Sequence, residues 1–200
     1  MKIRIRYNAP VVLTFAIVSA LVLLVDQLTG GTLVRAYFTL PPTFSTGSLL
    51  SWLKLVSYVV GHASWAHLIG NFSFILLIGP VLEEKYGSLP LLAMMVVTAL
   101  ATALLNLLIV RAGLLGASGI VFMLILLSSF TNIRQGEVPI TLLLVIALYL
   151  AREFLNALTP DAVSQLGHIA GGIIGGLFGF LFSGAERKPA LPAQQPENKE

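Results

Sequence analysis

The feature that most constrains this chain is a succession of long apolar runs, at 10–28, 62–82, 89–110, 116–131, 138–158 and 168–182, separated by polar breaks. A helix rises about 1.5 Å per residue and the hydrocarbon core of a bilayer is about 30 Å thick, so about 20 apolar residues make one crossing. In hydrocarbon a backbone must satisfy its own N–H and C=O groups, and a single run does so as a helix. Charge content agrees: Asp, Glu, Lys and Arg make up 10% of the residues, against about 25% in a typical soluble domain. The sequence therefore predicts an all-α membrane protein, a six-helix bundle with one membrane domain over 10–182. Residues 1–9 form a short N-terminal segment, and the proline-rich, charged tail 183–200 is expected to be disordered. Cysteine is absent, which excludes disulfides, thiolate metal sites and a cysteine nucleophile.

Two stretches depart from this simple scheme. The 29–61 segment holds Gly30-Gly31, Arg35, Pro41-Pro42 and a polar patch before the amphipathic 49–60. So long a connection in a compact domain usually has structure or function of its own. Trp52, Lys54 and Tyr58 suit the headgroup level, where aromatic rings and a snorkelling lysine anchor a loop. The second departure is the run opened by Gly116-Ala117-Ser118-Gly119. From Ser118 to Thr131 it would be a helix of roughly 21 Å, too short to cross from surface to surface. Its first residues are thus expected well inside the membrane.

The first run follows Lys2, Arg4 and Arg6 and lacks a small-residue cleavage site, so it reads as a retained helix rather than a removed signal. Six crossings put both termini on one side. A cytoplasmic N-terminus then gathers eight basic residues inside (Lys2, Arg4, Arg6, Lys85, Arg134, Arg187, Lys188, Lys199) against four outside (Arg35, Lys54, Arg111, Arg152), the asymmetry that orients membrane proteins. In that orientation the second, fourth and sixth runs all start toward the external face.

Those three starts carry the polar residues that matter. The chain has three histidines, and they fall at His62 and His67 in the second run and at His168 in the sixth, with Asn71 beside the first pair and Ser118 heading the fourth. Polar groups inside membrane helices are costly and are functional candidates by default. Ser118 would be a nucleophile activated by a base, and His168 the base, since imidazole accepts and returns a proton near neutrality. Gly171, Gly175 and Gly179 form a small-residue stripe that would let the last helix approach another closely. His67 and Asn71, four apart, share a helix face and can donate hydrogen bonds to an oxyanion together with the Ser118 backbone N–H. Ser118 alone would be read as a helix N-cap, the stripe as packing, and the histidines as an ion or proton site. A metal held by His62, His67 and His168 is a poor fit, because residues five apart on one helix project about 140° apart.

Taken together, these motifs resemble the rhomboid family of intramembrane serine proteases. His62-Ala-Ser-Trp-Ala-His67-Leu-Ile-Gly-Asn71 is similar to the family's His-x4-His-x3-Asn, Gly116-Ala-Ser118-Gly119 to its Gly-x-Ser-Gly, and His168-x2-Gly171-x3-Gly175 to its last-helix motif. Glu83-x3-Gly87-Ser88 resembles the segment after the family's second helix. The resemblance implies a Ser118–His168 dyad without aspartate and an oxyanion site from His67 and Asn71. It implies Phe122 stacking on the catalytic histidine, Gly116 and Gly119 keeping the serine's surroundings open, and His62 bonding within the first loop. It further implies transmembrane proteins as substrates, admitted beside the fifth helix, and no cofactor or metal. Lipid would be the surrounding partner, and nucleic acid would have no role. The first loop departs from the family pattern, with Lys54 where many relatives carry an arginine and Trp52 displaced by one. A catalytically silent relative that binds membrane helices is the main alternative, and a small permease the second. A prokaryotic plasma membrane is the expected location.

Overall fold

The computed structural model describes residues 7–132, together with 140, 143–144, 147–148, 151, 173–178 and 181. The helices expected at 138–158 and 168–182 fall largely outside the described residues, and so do the basic N-terminal residues, the last loop and the tail.

The described part is built of helices. Helix α1 spans Pro10–Leu28, the short α2 Leu33–Tyr37, α3 Leu49–Ser57, α4 Trp65–Tyr86, α5 Ser88–Leu105 and α6 Ser118–Asn132. Pro10 sits at the start of α1, where its missing N–H would have had no intrahelical partner. Gly87 separates α4 from α5 with φ 91°, a conformation glycine adopts without strain. It ends α4. Helix α5 runs on into a wide π turn, Asn106–Val110, closed by Arg111 N–H donating to the Asn106 carbonyl at 2.7 Å. Arg111 has φ 54°, and this left-handed residue stops the helix.

Among the described residues, three helical stretches are long and apolar enough to cross a membrane: Pro10–Leu28, Trp65–Tyr86 and Ser88–Ile109. Many of their large apolar side chains are exposed, among them Leu77 at 73%, Leu89 at 76% and Leu108 at 72%, as expected where lipid is the solvent. Helix α6, with 15 residues, is roughly 22 Å long and remains short of a full crossing. Residues 119–125 of it are nonetheless buried throughout.

Helices α1 and α4 pack antiparallel and are fixed at both ends. At one end the buried Glu83 carboxylate accepts from Val11 N–H at 2.9 Å and Val12 N–H at 3.0 Å. Helix α1 has no side-chain cap of its own, so Glu83 satisfies its orphan donors and adds a negative charge at the positive end of its dipole. At the other end Trp65 Nε1–H donates to Gln27 Oε1 at 2.8 Å. Between them Gly79 lets the helices close: a Cβ there would stand 2.8 Å from Val12 Cγ2. The buried Asp26 plays the matching part for α2, accepting from Val34 N–H at 2.8 Å.

The sequence expectation began the second crossing at His62. In the structure α4 begins three residues later, because Ser64 caps it by accepting from His67 N–H at 3.2 Å. The helix also continues to Tyr86, past the expected end at 82.

Candidate active site

The Ser64 cap places His67 in the first turn of α4 and Asn71 one turn further on, on the same face. His62 lies in the preceding loop, fully buried. Its placement corrects the expectation that His62 and His67 diverge on one helix: the two rings lie 5.0 Å apart at 65°. The loop folds back, so helical spacing does not apply to this pair. Asn71 Nδ2 donates to His62 Nε2 at 3.1 Å. His62 therefore carries its proton on Nδ1 and donates to the Val60 carbonyl at 3.1 Å. This second bond is one within the first loop, as the resemblance implied. Burial, and next the neighbouring His67, push the pKa of His62 down to about 4, with the Val60 carbonyl partly opposing. The ring is neutral at physiological pH.

The segment leading into α6 is held against this group. Gly116 has φ 103°, and a Cβ there would stand 2.7 Å from both Cε1 and Nε2 of His67 and 3.6 Å from Asn71 Nδ2. Only glycine allows the turn both its backbone angle and its approach to the two side chains. Val121 N–H donates to the Ala117 carbonyl at 3.0 Å, so Ser118 is the first residue inside the helix rather than its cap. It occupies the turn whose N–H groups point out of the helix end. Gly119 is buried behind it, and Phe122 is buried one turn further along.

Three anchors set the level of this segment. Leu40 and Leu114 exchange backbone hydrogen bonds, both at 2.9 Å. Gly116 N–H donates to the Tyr58 carbonyl at 3.0 Å. Asn106 Nδ2 donates to the Ala112 carbonyl at 2.8 Å. Tyr58 is itself pinned, its hydroxyl donating to the Ala99 carbonyl of α5 at 3.1 Å, and burial holds that hydroxyl protonated well above the usual phenol range.

Sequence reading missed this role of the first loop. Interfacial anchoring accounts for the exposed α3 face of Leu49, Trp52 and Leu53. It does not account for Leu40 and Tyr58, which brace the chain before Ser118. Their signal in the sequence was slight, since backbone carbonyls do the bracing and any residue supplies one. Trp52 binds locally, through Nε1–H to the Thr46 carbonyl at 3.0 Å and edge-on to Phe44. Asn106, at the end of α5, holds the segment before Ser118 directly, through its bond to Ala112. Thr98 is back-bonded to the Met94 carbonyl at 2.7 Å.

His168 and Gly171 lie outside the described residues. Gly175 is described, and it packs into the backbone of α6: a Cβ there would run into the Met123 carbonyl oxygen and stand 2.6 Å from its Cα. That close approach is what the small-residue stripe called for.

The family profile described as the Rhomboid domain matches residues 50–185, a stretch that holds His62, His67, Asn71, Ser118, His168, Gly171 and Gly175. The chain is 24% identical over 133 residues to Rhomboid protease GlpG of Haemophilus influenzae, across 65% of this chain and 69% of that protein. It is 24% identical over 149 residues to Rhomboid-like protein 11, chloroplastic, of Arabidopsis thaliana, across 66% of this chain and 53% of that protein. The chain thus spans about half the length of the plant relative.

Proposed function

Because the chain is an integral membrane protein that belongs to the rhomboid family, we propose that it is a serine endopeptidase cleaving membrane proteins in or near their transmembrane segments. Ser118 is the nucleophile in this reading and His168 the general base. The observation that carries it is the seating of Gly116 on His67 and Asn71. The two side chains read here as oxyanion donors thereby lie against the turn two residues before Ser118, whose hydroxyl and backbone N–H open α6. Gly175 adds support, since it stands seven residues after His168 and packs on Met123, five after Ser118.

The chemistry follows from these groups. His168 takes the Ser118 proton as the hydroxyl oxygen attacks the scissile carbonyl, and the negative charge that develops is met by His67, Asn71 and the Ser118 N–H. The proton passes to the departing amine, leaving an acyl-enzyme, which water then hydrolyses. Nucleophile, base and oxyanion donors are all protein groups, so the reaction calls for no metal or cofactor. A substrate helix must unwind locally to expose its carbonyl, which favours small or helix-breaking residues at the cleavage site.

The external orientation, with both termini cytoplasmic in a prokaryotic plasma membrane, is part of the same proposal and rests on the distribution of basic residues. The decisive experiment incubates purified protein in detergent or proteoliposomes with a transmembrane substrate. Ser118→Ala and His168→Ala are each expected to abolish cleavage and fluorophosphonate labelling while remaining folded. Cleavage by either variant at the parent's rate would sink the assignment of these residues, and a parent that neither cleaves nor takes the label would favour a silent, helix-binding relative.

A further inference from the structure

We propose that His62 is a positioning residue for Asn71: its Nε2 holds the Asn71 carboxamide with the nitrogen, rather than the oxygen, turned toward the Gly116 turn. The inference rests on the reading of Ser118 as the nucleophile. A carboxamide is nearly symmetric in shape but has a donor end and an acceptor end. Only the donor end stabilises an oxyanion, and a flipped amide would set a carbonyl oxygen against developing negative charge. Something must therefore choose the orientation.

His62 has the means to do so. Its Nδ1–H is committed to the Val60 carbonyl at 3.1 Å, which leaves Nε2 as an acceptor. Asn71 Nδ2 meets that acceptor at 3.1 Å. The amide nitrogen also lies against the Gly116 turn, 3.6 Å from the place a Cβ would take. One amide hydrogen goes to His62, and the other is the one an oxyanion would receive. His62 is fully buried, with the His67 ring at 5.0 Å and the Phe72 ring at 5.7 Å, so it is walled in and cannot readily turn away. If the amide flipped, two acceptors would face each other in a buried site, a costly arrangement. His62 need not touch the substrate to matter, because it acts through Asn71.

The test is a double-mutant cycle on the full chain, with His62→Ala, Asn71→Ala and both together. It reads kcat and KM for a transmembrane substrate and the rate of Ser118 labelling by a fluorophosphonate. His62→Ala is expected to lower kcat and labelling by about tenfold with KM little changed, less than the loss expected on removing an oxyanion donor outright. In the Asn71→Ala background it should cost less than about twofold more, since the residue it positions is gone. An equal loss in both backgrounds, or an unchanged kcat in His62→Ala, overturns the proposal. A second measurement does not depend on folding of the variants. In 15N-labelled parent protein, a scalar coupling between Asn71 Nδ2 and an unprotonated His62 Nε2 is expected, and a protonated Nε2 overturns the proposal. Were the parent inert toward both substrate and fluorophosphonate, the nucleophile assignment and this inference would fall together. An active parent with an additive cycle removes His62's role alone.

Discussion

Gly116 shows how much one residue can be asked to do. It takes φ 103° and brings the backbone against the His67 ring and the Asn71 amide. In Gly116→Ala the new Cβ meets the His67 ring, so the turn must withdraw, and Ser118 moves with it. A misplacement of about 1 Å can cost on the order of a hundredfold in rate, and that loss of substrate cleavage is expected, with a left-handed alanine adding about 1–2 kcal/mol of destabilisation. A cleavage assay paired with a thermal midpoint checks both. His62 makes a separate prediction about pH. Its folded pKa is depressed from 6.5 to about 4, so the native ring stays neutral where the unfolded one takes a proton. Its contribution to stability is full above about 6.5 and is lost as pH falls toward about 4. The thermal midpoint in detergent should therefore drop between pH of about 7 and about 4.5, and it should drop less in His62→Gln.

At the scale of elements, helix ends are closed by distant carboxylates. Helix α1 lacks a cap in its own sequence, and Glu83, 71 and 72 positions away from Val12 and Val11, supplies it. Glu83→Ala leaves one buried and one partly buried N–H group without their acceptor, and a loss of roughly 3 kcal/mol in unfolding free energy is expected, with Glu83→Gln retaining part of it. Denaturant titration in mixed micelles measures the difference. The resemblance had marked Glu83 as part of a motif without saying what it does. The helix boundaries tell a similar story. Gly87 was legible as a stop because glycine ends helices by its own backbone freedom. Ser64 was overlooked as a start because the apolar run continues across it, and only the bond from His67 N–H distinguishes cap from helix.

For the molecule as a whole, the outstanding prediction is orientation. The chain has no cysteine, so single introduced cysteines are unique reporters. In intact cells Thr43→Cys, in the exposed first loop, should react with a membrane-impermeant maleimide, whereas Glu84→Cys, exposed at the far end of α4, should react only after permeabilisation. The reverse pattern would invert the proposed topology. By itself the sequence determined that this is a helical membrane protein, where most described crossings begin and end, and which side chains are worth suspecting. Those properties depend on local composition: apolar length against bilayer thickness, glycine at a stop, rare polar residues at helix starts. Only the tertiary structure decided that His62 lies beside His67, that Asn71 bonds to it, and that Leu40, Tyr58 and Asn106 brace the approach to Ser118. Leu40 meets Leu114 and Tyr58 meets Gly116 across tens of residues through backbone groups that nearly every residue carries, while the shorter contacts of His62 and Asn106 depend on how their loops fold back. The residue pattern marks His62, His67 and Asn71 as a group, but nothing in it marks Leu40 or Tyr58, and in both cases packing decides which groups meet.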